Sequence, residues 1–126
     1  MERAASAFCT WEYDANGNLT SVEMDSDVDG TTDVTIYEAT YDSSDNMTWE
    51  AWDNDYDGAW DEQYIWTYDA GGNLTEYTED DDADGNPETT ETYDSAGYNT
   101  QIDFDDDSDG VVDATVSYFY VCDDAA

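Results

Sequence analysis

Short stretches of this chain alternate between apolar and polar residues with a period of two. The residues between the apolar ones are mostly Thr, Ser or Glu. Such alternation predicts strands that have one apolar face and one mixed face. The clearest examples are Val34 with Ile36, Met47 with Trp49 and Ala51, Tyr64 with Trp66 and Tyr68, Ile102 with Phe104, and Val116 with Tyr118 and Tyr120.

Nine stretches rich in Thr, Val, Ile, Tyr and Trp favour strands, and none favours a helix. We therefore expect an all-β fold, an antiparallel up-and-down meander of about nine strands built from four β-hairpin repeats. An open sheet and a closed barrel both fit this pattern. The predicted strands are residues 8–13, 19–24, 34–41, 47–52, 63–68, 74–78, 89–93, 100–104 and 114–122.

Two motifs alternate between these stretches. A Tyr-Asp turn motif begins at residues 13, 41, 68 and 93, and an acidic motif begins at residues 25, 53, 80 and 105. Both motifs advance in steps of 28, 27 and 25 residues, so they belong to one repeating unit. We predict a single β-repeat domain over residues 8–122, with tails at 1–7 and 123–126. Its units span about residues 13–40, 41–67, 68–92 and 93–122.

The acidic motif reads Asp-x-Asp-x-Asp-Gly-x-x-Asp/Glu and defines loop 1 (residues 25–33), loop 2 (53–61), loop 3 (80–88) and loop 4 (105–113). Carboxylates at positions 1, 3, 5 and 9 and a backbone carbonyl at position 7 suit Ca²⁺, which takes 6–8 oxygen ligands. The glycine at position 6 allows the sharp turn that lets these groups converge. The alternative is an Asp/Gly turn that only adds solubility.

These loops predict about four Ca²⁺ ions per chain, along one edge of the sheet and roughly 10 Å apart. Mg²⁺ fits less well because it demands a near-ideal octahedron. The predicted carboxylate ligands are Asp25, Asp27, Asp29 and Asp33; Asp53, Asp55, Asp57 and Asp61; Asp80, Asp82, Asp84 and Glu88; and Asp105, Asp107, Asp109 and Asp113. The predicted carbonyl ligands are those of Thr31, Ala59, Asn86 and Val111.

The net charge of the chain indicates that the sheet needs bound cations. Asp and Glu number 35 against one basic residue, Arg3, for a formal net charge of −34. This repulsion opposes folding unless cations are bound, so we expect metal binding and folding to be coupled. Nucleic acid and anionic membranes are excluded as partners. The hydrophobic fraction of 39% and the aromatic fraction of 15% exceed those of disordered acidic chains.

Cellular location follows from the calcium prediction. Cytosolic free Ca²⁺ would leave sites of sensor strength or weaker mostly empty, which favours an extracellular or cell-surface setting. The sequence contains no apolar run long enough to insert into a membrane, and residues 1–7 lack the apolar core of a signal peptide.

The sequence Tyr-Asp-x-x-Gly-Asn-Leu-Thr at residues 13–20 and 68–75 resembles the YD, or Rhs, repeat of bacterial surface and toxin-encapsulating proteins. This resemblance covers about residues 13–113 and implies a ribbon of β-hairpins. The unit here is longer than in that family because it carries the acidic loop, and four units are too few to enclose a toxin. The acidic loops separately resemble those of thrombospondin type 3 repeats, which implies bound Ca²⁺.

Cys9 and Cys122 lie in the first and last predicted strands. In an open sheet these strands are eight spacings, roughly 38 Å, apart, whereas a disulfide needs Cα atoms within about 7 Å. Either the sheet closes into a barrel or Cys122 of one chain bonds Cys9 of the next. The second alternative, which we favour, also pairs the two edge strands head to tail. Two unpaired thiols are the third possibility.

Two functions fit this sequence. The first is a structural protein, a homopolymer in which subunits join head to tail into a calcium-stiffened surface filament. The second is a calcium-dependent adhesin or glycan-binding module that uses exposed aromatic residues, of which Trp60 is expected to be the most exposed. The other candidates are Trp49, Trp52 and Trp66, although packing on the sheet is the simpler role for them. The chain has no His and no recognisable nucleophile or phosphate motif, so we do not expect an enzyme.

Overall fold

The computed structural model describes residues 7–121. Within this range the chain forms nine strands in one sheet, and every strand pairs antiparallel with the next along the chain. The expected up-and-down meander is confirmed. The strands are β1 Phe8–Tyr13, β2 Leu19–Asp25, β3 Val34–Tyr41, β4 Met47–Trp52, β5 Glu62–Tyr68, β6 Leu74–Asp80, β7 Thr89–Tyr93, β8 Asn99–Phe104 and β9 Ala114–Ser117.

The sheet is open. β1 pairs only with β2 and β9 only with β8 among the described residues, so the barrel alternative is wrong. The last strand is also shorter than predicted and ends at Ser117. Beyond it the backbone keeps one bond to β8, from the Tyr118 N–H to the Thr100 carbonyl at 2.9 Å, and no described strand lies on its other side. Cys122 lies outside the described residues, and the disulfide stays a prediction.

The two faces of the sheet differ in composition. Cross-strand pairing places Trp11, Val22, Tyr37 and Trp52 in one row, and the same face carries Trp66 opposite Tyr77. We call this the aromatic face. The opposite face is mostly polar, but it also carries Trp49, Ala51 and Ile65, so the expected place of Trp49 and Ala51 on the apolar face is wrong. It includes Thr10, Glu38, Thr40, Gln63, Thr67, Thr78, Thr90 and Thr115.

Only a thin core forms, because a single sheet has no second layer to pack against. Val22, Tyr37 and Ala39 are buried on the aromatic face of β2 and β3. They pack against half-buried neighbours, namely Cys9, Leu19, Ile36, Tyr41 and Met47. A core this small makes the turns and loops important for holding the strands together.

The Tyr-Asp turns lie along one edge of the sheet. In the first turn the Asp14 carboxylate accepts the N–H groups of Asn16 and Asn18 and the Asn18 side chain. A β-bulge occurs beside the tyrosine of all four turns. The Tyr41 hydroxyl donates to the Leu19 carbonyl, and the Tyr68 hydroxyl donates to the Met47 carbonyl, both at 2.9 Å. These two bonds connect the second hairpin to the first and the third hairpin to the second.

Candidate metal centres

The four acidic loops connect β2 to β3, β4 to β5, β6 to β7 and β8 to β9. In an up-and-down meander these connections all lie at the same edge, opposite the Tyr-Asp turns. The loops therefore lie side by side along one edge, as the spacing of the two motifs predicted. The first aspartate of each loop directly ends or follows a strand, so the sheet fixes its position.

The carboxylate at position 1 organises each loop. One of its oxygens accepts the N–H of the glycine at position 6, at 2.9 Å in loop 1, 2.8 Å in loop 2, 2.9 Å in loop 3 and 2.7 Å in loop 4. Its other oxygen accepts the N–H of position 5 in every loop. This pattern curls the backbone around the first aspartate and turns the later acidic residues toward it.

The residue at position 9 closes the loop. Its carboxylate accepts the N–H of position 2, at 2.7 Å for Asp33, 2.6 Å for Asp61, 2.5 Å for Glu88 and 2.9 Å for Asp113. The Ser26 side chain and N–H both donate to Asp33 and lower the pKa of that carboxyl. These contacts hold the two ends of each loop together.

Two residues in each loop have a left-handed backbone. The glycine at position 6 has φ between 82° and 94°, as its role in the turn required. Position 4 also lies in this region, although no loop has glycine there. Nothing in the sequence indicated this second left-handed residue, because Val28, Tyr56, Ala83 and Ser108 share no chemistry. All four loops therefore follow one backbone path despite different side chains.

Three carboxylates converge in each loop, with one oxygen of each within 4.8 Å of the others. Loops 1 and 2 bring together positions 1, 3 and 5, whereas loops 3 and 4 bring together positions 1, 3 and 9. Each triad could hold a metal ion. The triads are Asp25, Asp27 and Asp29; Asp53, Asp55 and Asp57; Asp80, Asp82 and Glu88; and Asp105, Asp107 and Asp113.

The remaining predicted ligands lie close by. The fourth carboxylate of each loop, from Asp33, Asp61, Asp84 or Asp109, is not among the three that converge. The residues at position 7 donate their N–H groups to the carboxylate at position 5 at 2.8–2.9 Å. Ligation by their carbonyls stays a prediction.

The electrostatics of the loops favour a cation. Asp53, Asp80 and Asp105 are buried, and residues 7–121 contain no Lys, Arg or His that could pair with them. Burial, followed by the neighbouring Asp57 carboxylate, raises the pKa of Asp55. The Asp109 carboxylate, followed by burial, raises the pKa of Asp107. Buried carboxylates are costly unless compensated, and the protein itself supplies no positive charge in this range.

Carboxylate oxygens are hard ligands, which suit hard cations such as Ca²⁺ and Mg²⁺ better than soft transition metals. Residues 7–121 contain one cysteine, Cys9, and it lies in β1 rather than in a loop. The four triads therefore suit a hard divalent cation.

The expected exposure of Trp60 is wrong. Its side chain is half-buried and packs edge-on against Trp49, with ring centroids 6.1 Å apart. The end of loop 2 folds back onto β4, a contact that strand periodicity cannot predict for a loop residue. Trp52 is the most exposed of the four candidate tryptophans, at 39%, and it packs on Tyr37 at 4.5 Å.

No protein-family model matches the chain, and a search of curated proteins finds no match. The resemblance to YD repeats therefore rests on the motif alone. No helix within residues 7–121 is long and apolar enough to span a membrane.

Proposed function

We propose that this protein is a calcium-stabilised extracellular structural protein whose copies join through their edge strands into a filament. Each loop binds one Ca²⁺ through its triad, completed by the carbonyl at position 7, further loop oxygens and water. Four ions would cancel eight negative charges and change the formal net charge from −34 to −26, at the edge where carboxylates are most crowded. An extracellular setting supplies the Ca²⁺ concentration that such sites require.

The distribution of acidic residues supports assembly through the edges. In a chain with 35 acidic residues, the two longest acid-free stretches are nine residues each, at 3–11 and 114–122. They include most of β1 and all of β9, and β9 is the only one of the nine described strands without a carboxylate. Edge strands of soluble proteins usually carry charge that blocks pairing with other chains. Here β9 carries no charge that would block an incoming strand, and the first four residues of β1 carry none.

Apolar exposure is concentrated at the same place. Residues 111–121 are all exposed, and this segment includes Val116, Tyr118, Phe119 and Val121. Phe8 and Trp11 are exposed in β1 at the opposite edge. Pairing β9 of one copy with β1 of the next would cover part of both groups. The partner is then a second copy of this chain.

The number of strands limits how copies can join. Neighbouring strands of the meander run in opposite directions. Because the number of strands is odd, β1 and β9 run in the same direction. Copies related by translation alone would pair these strands in parallel. Copies that alternate by a half-turn about the filament axis would pair them antiparallel, which is slightly more stable per residue. Either junction adds roughly 43 Å per subunit, from nine strand spacings.

Electron microscopy of the purified protein in millimolar Ca²⁺, with an EDTA-treated control, tests this proposal. We expect filaments with an axial rise of roughly 43 Å per subunit that dissolve or lose order in EDTA. Isolated particles at high protein concentration in both conditions would contradict assembly and leave calcium binding to be tested separately.

A glycan-binding module is the second candidate, and the row of Trp11, Val22, Tyr37 and Trp52 favours it. Trp11 and Trp52 are exposed at its two ends and could stack against sugar rings. A glycan array distinguishes the candidates. Saturable binding that is lost in EDTA and in Trp52→Ala would support the adhesin, whereas a structural protein should bind no glycan.

A further inference from the structure

Loops 3 and 4 contact each other through side chains and through one backbone hydrogen bond, from the Asp105 N–H to the Glu88 carbonyl at 3.0 Å. The Ser108 hydroxyl of loop 4 donates to Glu88 Oε1 of loop 3 at 2.5 Å. The Asn86 side-chain amide of loop 3 donates to the Ser108 carbonyl at 3.3 Å. Among the described residues, no hydrogen bond joins loop 1 to loop 2 or loop 2 to loop 3. Only the last two candidate metal centres are directly connected.

The connecting residues are those that distinguish these loops from the others. Position 9 is Glu only in loop 3, and its extra methylene extends the carboxylate toward the neighbouring loop. Position 4 has a short hydroxyl side chain only in loop 4, where Ser108 replaces the Val28, Tyr56 and Ala83 of the other loops. The Gly110 backbone of loop 4 also lies close to the Asn86 side chain of loop 3. A Cβ at Gly110 would lie 3.0 Å from Asn86 Oδ1.

Both ends of the connection belong to metal triads or adjoin them. Glu88 converges with Asp80 and Asp82 in loop 3. Ser108 lies between Asp107, a member of the loop 4 triad, and Asp109. An ion in loop 4 would fix the backbone at Ser108, and its hydroxyl would then hold the Glu88 carboxylate in place. In the other direction, an ion in loop 3 would fix the Glu88 carboxylate, which would then hold Ser108 of loop 4 in place.

We propose that loops 3 and 4 bind Ca²⁺ cooperatively, whereas loops 1 and 2 bind it independently. This inference rests on the proposed calcium function. Thermodynamic linkage requires the effect to be reciprocal, so each ion raises the affinity of the other loop by the same factor. The usual net contribution of one solvent-accessible hydrogen bond corresponds to a factor of roughly three to ten in affinity.

Each loop contains one glycine N–H that donates to the first aspartate, which gives four separate reporters. In ¹⁵N-edited NMR titrations with Ca²⁺, the amides of Gly30, Gly58, Gly85 and Gly110 follow loops 1 to 4. We expect Gly85 and Gly110 to titrate together. Disabling loop 4 with Asp107→Asn should raise the Ca²⁺ concentration at half-saturation of Gly85 about three- to tenfold and leave that of Gly58 unchanged.

Two further variants keep the test decisive. Asp27→Asn disables loop 1 in the same way and should not shift Gly58. Ser108→Ala removes the connecting hydroxyl, and Ala83 shows that alanine occupies this loop position at φ 54°. In that background Asp107→Asn should shift the midpoint of Gly85 less, because only the contacts from Asn86 to the Ser108 carbonyl and from Asp105 to the Glu88 carbonyl remain. If Asp107→Asn unfolds the protein, Asp113→Asn replaces it, because Asp113 is also a member of the loop 4 triad.

The outcomes separate the two proposals. If no glycine amide responds to Ca²⁺, the calcium function itself is wrong. If all four respond but Gly85 keeps its midpoint when loop 4 is disabled, or shifts equally in the Ser108→Ala background, the coupling alone is overturned.

Discussion

At the scale of single residues, position 4 of the acidic loops carries the clearest backbone strain. Val28 has φ 61° and Tyr56 has φ 65°, although neither residue favours the left-handed region. A β-branched side chain is least suited to it. Strain of this kind costs roughly 1–3 kcal/mol and persists only where surrounding contacts enforce it. Here the enforcing contacts are the hydrogen bonds to the aspartate at position 1.

Val28→Gly is therefore expected to stabilise the protein. The relieved strain exceeds the entropy cost of glycine, about 0.5–1 kcal/mol, and leaves a net gain of about 1 kcal/mol. Ala83→Gly is the matched control and should gain less, because alanine is not branched. Urea unfolding at a fixed, saturating Ca²⁺ concentration measures both. A lower free energy of unfolding for Val28→Gly than for the wild type would show that the loop is not strained there.

Protonation should act in opposite directions at the Tyr-Asp turns and at Asp55 and Asp107 of the acidic loops. Hydrogen bonds from Asn18 and Asn46 lower the pKa of Asp14 and Asp42 below 3.8, so the turns stabilise the fold above that pH and lose this effect as pH falls through the lowered pKa. In metal-free loops, burial and like charge raise the pKa of Asp55 and Asp107 above 3.8. Protonating these two groups favours the folded state as pH falls through the raised pKa.

Metal-free protein should thus become more stable between neutral pH and about pH 4, and less stable below about pH 3.8. Thermal unfolding as a function of pH measures this profile. Calcium-loaded protein should lack the gain on mild acidification, because protons then compete with the bound ion. A stability of the metal-free protein that falls steadily from pH 7 would contradict the proposed crowding of charge in the loops.

At the scale of strands and turns, most of the fold was predictable. Alternation and the two turn motifs located all nine strands, because each signal is local to a hairpin. Features that depend on tertiary contact were not predictable. They include the burial of Trp60 against Trp49, the bonds between loops 3 and 4, and the end of β9 at Ser117. Which three carboxylates converge was not predictable either, because loops 1 and 4 have Asp at the same four positions and still bring together different triads.

The hydroxyl groups of Tyr41 and Tyr68 hold neighbouring hairpins together. Replacing either by Phe should lower the free energy of unfolding by about 1 kcal/mol, the usual net value of one hydrogen bond. Tyr13→Phe is the matched control. It changes the same motif position in the first turn, where the side chain is exposed and its hydroxyl has no hydrogen-bond partner among the described residues. Denaturant unfolding in Ca²⁺ should show no significant change for that variant, and equal losses in all three would contradict this role.

At the scale of the whole molecule, the sheet combines strong net repulsion with a last strand, β9, that carries no charge. All four candidate metal centres lie at one edge, where cations would reduce the repulsion between neighbouring hairpins. β1 and β9 offer unpaired backbone, and β9 has no acidic side chain while β1 has one, Glu12, near its end. In this account calcium makes the subunit rigid, and the two edge strands join one subunit to the next.

A carboxylate placed on β9 should therefore block assembly. Val116→Glu adds to β9 the kind of charge that every other strand carries, and we expect it to leave monomers in Ca²⁺ as measured by sedimentation velocity. Ile65→Glu is the control, because Ile65 is exposed to a similar degree, 46% against 42%, but lies in the central strand β5. It should still form filaments. Equal assembly of the two variants would mean that β9 is not the junction.

The most direct test of the account is the number of calcium ions bound per chain. Isothermal titration of metal-free protein with Ca²⁺, at neutral pH and physiological salt, should saturate near four ions, the number of acidic triads. Mg²⁺ should bind more weakly under the same conditions. A lack of saturable Ca²⁺ binding, or equal affinity for Mg²⁺, would contradict the proposal that calcium holds this sheet together.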